Sequence, residues 1–101
     1  METVFVIYRA TVKEFRFDRD YYESQHLPLV RKAWEQYGLE STTALYPVGD
    51  DGIVAVAVNE FRDEQAAIEA FGAPESAAVM DDVLRYTDLT PIRLRGTDFT
   101  F

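Results

Sequence analysis

His26 is the only imidazole in the chain. With an unperturbed pKa of about 6.5, it is the side chain best able to exchange a proton near neutral pH. Tyr22 stands four residues earlier, so in a helix the two share a face one turn apart. In an enzyme, His26 would be the general base that takes a proton from an acidic C–H or O–H, while Tyr22 hydrogen-bonds the oxyanion that develops. The same two side chains suit a ligand contact without chemistry. His26 also suits a structural place at a helix break, donating to a nearby carbonyl.

Other chemistries find less support. With one His and no Cys, a metal would depend on carboxylates, and the pairs Asp50-Asp51 and Asp81-Asp82 read as solvated loop and helix faces. A lone His could serve as an axial haem ligand, but no other residue favours that use, and neither metal nor cofactor is expected. Cysteine's absence also removes disulfides and thiolate nucleophiles. The glycines are isolated apart from Gly49 and Gly52, so no phosphate-binding loop follows a strand, and no serine sits in a nucleophile elbow. Trp34 and Tyr37 are expected in the core between helix and sheet.

Composition bounds the class. Of 101 residues, 48% are apolar and 14% aromatic, which is enough for a folded core in one domain spanning 1–101. The 18 acidic and 10 basic side chains give a formal charge of -8, which repels phosphate backbones and anionic lipid. The Lys and Arg residues are scattered from Arg9 to Arg95, so no nucleic-acid or membrane partner is expected. The opening METVFVIYRA has no basic n-region and is far shorter than the roughly 20 apolar residues that cross a bilayer. A cytoplasmic protein is the expectation.

The elements that must position His26 are legible in outline. Thr3 to Ala10 is rich in β-branched and aromatic residues and reads as a strand. Asp18 can cap a helix running to Tyr37, with Leu27, Val30, Trp34 and Tyr37 as its buried stripe and Gly38 as its stop. Pro28 lacks an N–H and disfavours the α region at Leu27, which predicts two helical pieces with a kink or turn near His26 and Leu27. Thr42 to Val48 and Ile53 to Glu60 read as strands joined by a reversal at 49–52. Asp63 can cap a helix through Phe71, Pro74 opens another to about Tyr86, and Leu89 to Phe101 is a last extended segment. Its Pro91 assigns it to a sheet edge.

This order, βαββαβ, predicts an α+β ferredoxin-like sandwich with the first and third strands central. Both faces of those strands are largely apolar, yet the helices can cover only one of them. A homodimer packed face to face would bury the other and form an α+β barrel. Ala55 and Ala57 share one strand face, and their shortness would leave room for a ligand between the two sheets. Tyr8, Tyr46 and Asn59, with Arg93 and Arg95, are strand residues that a shift of one position would move between pocket, core and solvent. Asn59 extends the face of Ala55 and Ala57 and needs a hydrogen-bond partner there, from a ligand or across a dimer.

The run Phe17-Asp18-Arg19-Asp20-Tyr21-Tyr22-Glu23-Ser24-Gln25-His26-Leu27-Pro28-Leu29-Val30 resembles the first helix of the EthD family, where an F-x-x-x-Y-x-x-x-H-x-P-L stretch is found. Phe61, Ala66, Ala67, Phe71, Val79, Asp82, Tyr86, Asp88 and Pro91 are similar to that family's second half. The resemblance implies a ferredoxin-like chain, a dimer built sheet to sheet, and a pocket beside the first helix. His26 and Pro28 carry over directly, and Tyr22 fits the aromatic place one turn earlier. Related groups include cofactor-free monooxygenases of aromatic polyketides, lactone isomerases and cyclases, and haem-dependent enzymes, while EthD members mostly lack an assigned reaction. Three readings follow: a homodimer binding a small apolar or aromatic metabolite; a cofactor-independent isomerase, cyclase or monooxygenase using His26; and a structural or regulatory dimer without ligand.

Overall fold

A computed structural model describes residues 1–49 and 51–97. Asp50 and residues 98–101 lie outside the described residues, and with them part of the expected 49–52 reversal, one member of the Asp50-Asp51 pair and the end of the last expected strand. Four strands, β1 (Glu2–Arg9), β2 (Leu39–Leu45), β3 (Ile53–Phe61) and β4 (Ile92–Thr97), form one antiparallel sheet in the order β2-β3-β1-β4. The two most apolar strands are therefore central, and Pro91 stands just before the edge strand β4, where its missing donor disrupts no ladder.

The first helical run is continuous. It begins with α1 (Arg19–Tyr21), capped by the Asp18 carboxylate, which accepts from the Tyr21 N–H at 3.1 Å. A π-turn (Tyr22–His26) leads into α2 (Leu27–Trp34), and a 3-10 turn (Glu35–Tyr37) ends at Gly38, whose φ of 107° suits a residue without Cβ. The irregularity expected near His26 and Leu27 is present as this π-turn, but Pro28 does not interrupt the run. Leu27 stays helical and its N–H reaches back to the Tyr22 carbonyl, so the widened turn accommodates a residue that would otherwise clash one turn back.

Asp63 caps α3 (Glu64–Gly72) by accepting from the Ala66 N–H at 2.8 Å. Ala66, Ala67 and Ala70 are fully buried, so this helix lies close against its neighbours. A second helix, α4 (Glu75–Asp82), continues into a 3-10 turn (Val83–Arg85). All the helices lie on one face of the sheet. Val4, Val30, Trp34, Leu39, Phe61 and Val79 form one core cluster beneath them, and Tyr8, Tyr22, Ala55 and Tyr86 form another.

Two expectations about the sheet are corrected. It is open, not closed into a barrel: β2 and β4 stand at opposite ends, and among the described residues neither pairs along its outer edge. The hydrogen-bonded ladder thus ends at two separate edges and does not return on itself. The register also sets Ala55 and Ala57 against Tyr8 and Val6 on the helix-covered face, together with Asn59 and Phe61. The uncovered face instead carries Phe5, Ile7, Val56, Val58, Leu45, Ile92 and Leu94, of which Leu45, Ile92 and Leu94 are 51%, 49% and 51% exposed.

Candidate functional site

Between the two core clusters lies a cavity of about 180 Å³ with Val6 and Ala57 on its sheet side. Leu27, Val30 and Trp34 from α2, and Val79, Met80 and Val83 from the later helical segment, make the rest of its wall apolar. Its polar lining comes from Tyr8, Tyr22, His26, Asn59 and Arg93. Small residues on the sheet are what leave the space: a longer side chain at Ala57 would enter it.

His26 is buried at the end of the π-turn, with its ring stacked 5.8 Å from Tyr22 at 15° and 4.5 Å from Tyr86. Its Nδ1 lies 3.0 Å from Asp82 Oδ2, and Asp82 Oδ1 accepts from the Tyr21 hydroxyl at 2.7 Å. A carboxylate can only accept, so in neutral His26 the proton sits on Nδ1 and Nε2 carries the lone pair. Nε2 has no hydrogen-bond partner among the described residues. Burial lowers the imidazole's pKa, and the hydrogen bond and charge of Asp82 raise it by less, so the neutral base is favoured.

Tyr22 is fully buried beside it, yet its hydroxyl has no hydrogen-bond partner among the described residues. The neighbouring Tyr8 and Tyr86 satisfy each other, with their hydroxyl oxygens 2.5 Å apart. Burial pushes the Tyr22 and Tyr86 phenols well above the ordinary tyrosine range and raises that of Tyr8, so each keeps its proton and can donate. The loop before α1 is fastened to this cluster from outside. The Asp18 N–H donates to the Tyr86 carbonyl at 2.7 Å, Thr87 Oγ1 donates to the Arg16 carbonyl at 2.7 Å, and Phe17 packs edge-on to Tyr8 and Tyr22.

Of the residues singled out in the sequence, His26, Tyr22, Tyr8, Ala57 and Asn59 meet at the cavity. Ala55 does not line it; it is buried in the tyrosine cluster. Tyr46 is also elsewhere, donating to Glu23 at 2.5 Å with the Arg19 guanidinium 3.7 Å above its ring. Asn59 finds its partners within the chain, accepting from Thr42 at 3.0 Å and donating to the Val4 carbonyl at 3.4 Å. Trp34 is core, as expected, donating to Ser76 at 2.8 Å, and also forms part of the cavity wall.

Asp82 and Tyr86 are the residues that sequence reasoning did not assign to the site. Asp82 read as part of a solvated acidic face, but it stands four positions before Tyr86 and three after Val79, beside the buried stripe of its helix. That spacing was the available signal. Among the described residues no group of three or more His, Asp or Glu side chains could hold a metal ion, and no helix is long and apolar enough to cross a membrane.

No protein-family model matches the chain, and no curated protein does. Solved structures do. An EthD-like protein of Ralstonia eutropha superposes with a TM-score of 0.80 at 22% identity, over 94% of this chain and 88% of that one. An ethyl tert-butyl ether D (EthD) family protein of Bacillus halodurans gives 0.75 at 18%, over 98% and 99%. SnoaB, a cofactor-independent oxygenase of Streptomyces nogalater, gives 0.71 at 16%, over 99% and 95%. At these identities the likeness is one of fold, and it agrees with the resemblance carried by the first-helix motif: the chain has the fold of the EthD and EthD-like proteins.

Proposed function

We propose that this chain is an EthD-like protein that holds a small apolar or aromatic metabolite between its helices and its sheet, and that it works as a homodimer. The Tyr22 hydroxyl carries this reading. A buried donor without a partner costs about 1–3 kcal/mol, and its residue, Tyr22, lines an apolar cavity with its ring stacked on His26. A ligand oxygen placed there accepts from Tyr22 and removes the cost. The apolar wall then binds the rest of the molecule by removing its surface from water. The homodimer rests on the uncovered sheet face, whose central and edge strands expose a contiguous apolar surface.

Catalysis is the second reading, and Asp82 favours it. A carboxylate that fixes Nδ1–H leaves Nε2 ready to take a proton, and the adjoining phenol can stabilise the anion that results. Proton abstraction of this kind is a step that cofactor-independent isomerases, cyclases and monooxygenases can all use. A structural neighbour being a cofactor-independent oxygenase is in keeping with it.

The test uses protein labelled with 15N in its one histidine, titrated with 4-methylphenol. A saturable shift of the Nε2 resonance that weakens in Tyr22→Phe supports binding at this place. Unchanged His26 resonances up to the solubility limit of the phenol would overturn it.

A further inference from the structure

We propose that Arg93 is a carboxylate anchor at the mouth of the cavity, so that the preferred ligand is a small aromatic or branched carboxylic acid in its anionic form. This rests on the cavity reading above and names the ligand class.

Two arginines of β4 share the helix-covered side of the sheet: Arg95 is paired with Val4 and Arg93 with Val6. Their charges are handled differently. Arg95 Nε lies 3.4 Å from the carboxylate of buried Glu2. Arg93 makes no ion pair among the described residues, although the chain carries 18 acidic side chains. Its guanidinium instead rests over the Phe71 ring, 4.4 Å from the centroid, while the side chain lines the cavity.

Stacking on an aromatic face restrains the plane of the guanidinium without using its N–H groups. Those donors form a fork that matches a carboxylate in two parallel hydrogen bonds. Arg93 is the only formally charged group among those lining the cavity that is permanently cationic, and every other long side chain there is apolar, aromatic or amide. With a net charge of -8, the chain as a whole repels anions. A local unneutralised guanidinium is what would make an anion's entry favourable.

Size narrows the class further. A cavity of about 150 Å³ accepts benzene, so one of about 180 Å³ suits a single substituted ring or a branched chain of similar bulk. The carboxylate would stay at the exposed mouth, where water still solvates it in part, and the apolar body would run inward, so that an oxygen on its far end reaches Tyr22 beside His26.

Trp34, the only tryptophan, lines the cavity and reports binding by its fluorescence. The experiment compares 4-methylbenzoate with its neutral isostere 4-methylbenzamide, in the unaltered protein and in Arg93→Met, with thermal unfolding as the check on folding. The unaltered protein should prefer the benzoate by about tenfold, as a charge-assisted pair at a part-solvated site allows. Arg93→Met should remove that preference by weakening benzoate binding more than benzamide binding. Equal binding of the two probes by the unaltered protein, or a preference that survives in Arg93→Met, overturns the anchor and leaves the cavity reading standing. If neither probe changes Trp34 saturably, the anchor and the cavity reading fall together. Should Arg93→Met not fold, the comparison of the two probes in the unaltered protein still decides.

Discussion

His26 Nδ1 and Asp82 Oδ2 lie 3.0 Å apart across 56 positions of sequence, tying the π-turn of the first helical run to the last residue of α4. The contact sets the tautomer of the imidazole, and burial sets its charge. Both are open to measurement.

Burial lowers the His26 pKa, and Asp82 opposes that shift only in part. Between the lowered value and about 6.5, the unfolded chain takes up a proton that the folded chain refuses. This group's contribution to stability is therefore fully present above about 6.5 and falls as pH drops through that window. Urea unfolding should show a loss of stability from pH 7.5 towards pH 5 that is shallower in His26→Asn. In Asp82→Asn the supporting hydrogen bond and charge are gone, so the imidazole resonances should titrate at lower pH than in the unaltered protein. An unchanged or higher midpoint would contradict the contact.

The tyrosine cluster predicts opposite effects for the same chemical change. Tyr86→Phe leaves the Tyr8 hydroxyl buried without its partner and should destabilise by about 1–3 kcal/mol. Tyr22→Phe removes a hydroxyl that has none, so it should leave stability unchanged or raise it by up to about 1 kcal/mol while weakening ligand binding. Denaturant midpoints for the two variants give the comparison.

Filling the cavity should separate stability from binding. Ala57→Leu adds three carbons into open space beside Val6, and lining that space raises the melting temperature by a few degrees, or about 1 kcal/mol. The same variant should no longer change its Trp34 fluorescence with 4-methylphenol. Lost stability together with retained binding would mean that the space is not where the ligand goes.

The uncovered face predicts the assembly. Sedimentation at micromolar concentration should give twice the mass of the chain, and Phe5→Glu, which sets a carboxylate among Ile92, Leu94 and Val58, should give a folded single chain. A folded monomer in the unaltered protein would remove the dimer from the proposal.

Much of the fold was legible because it depends on local signals. Asp18, Gly38 and Asp63 mark helix ends through backbone groups that must be satisfied, and the structure uses each of them so. The parity of β3 was not legible in the same way. Val54, Val56 and Val58 are as apolar as Ala55 and Ala57, and a strand with two greasy faces gives no preference of its own. Phe61 held the missing information: it shares the parity of Ala55 and Ala57, and a side chain of that size belongs with the helices. Ending the expected strand at Glu60 left it out. The barrel was inferred from that same ambiguity, and the open sheet corrects it.

The site was half legible. Residue type alone pointed to His26, and helical spacing pointed to Tyr22. Asp82 reaches them by tertiary packing, and its neighbour Asp81 made the pair look like ordinary surface charge. Pro28 hid the rest, since a π-turn absorbs it and keeps Tyr22 and His26 on one buried side.

Ligand recognition turns on an oxygen meeting the Tyr22 hydroxyl beside His26 Nε2. A crystal structure grown with 4-methylphenol measures this directly. The phenol oxygen should lie within hydrogen-bond distance of both groups, with its ring against Ala57 and Trp34. An empty cavity at saturating phenol, or a phenol bound elsewhere with Tyr22 still unpartnered, would contradict it.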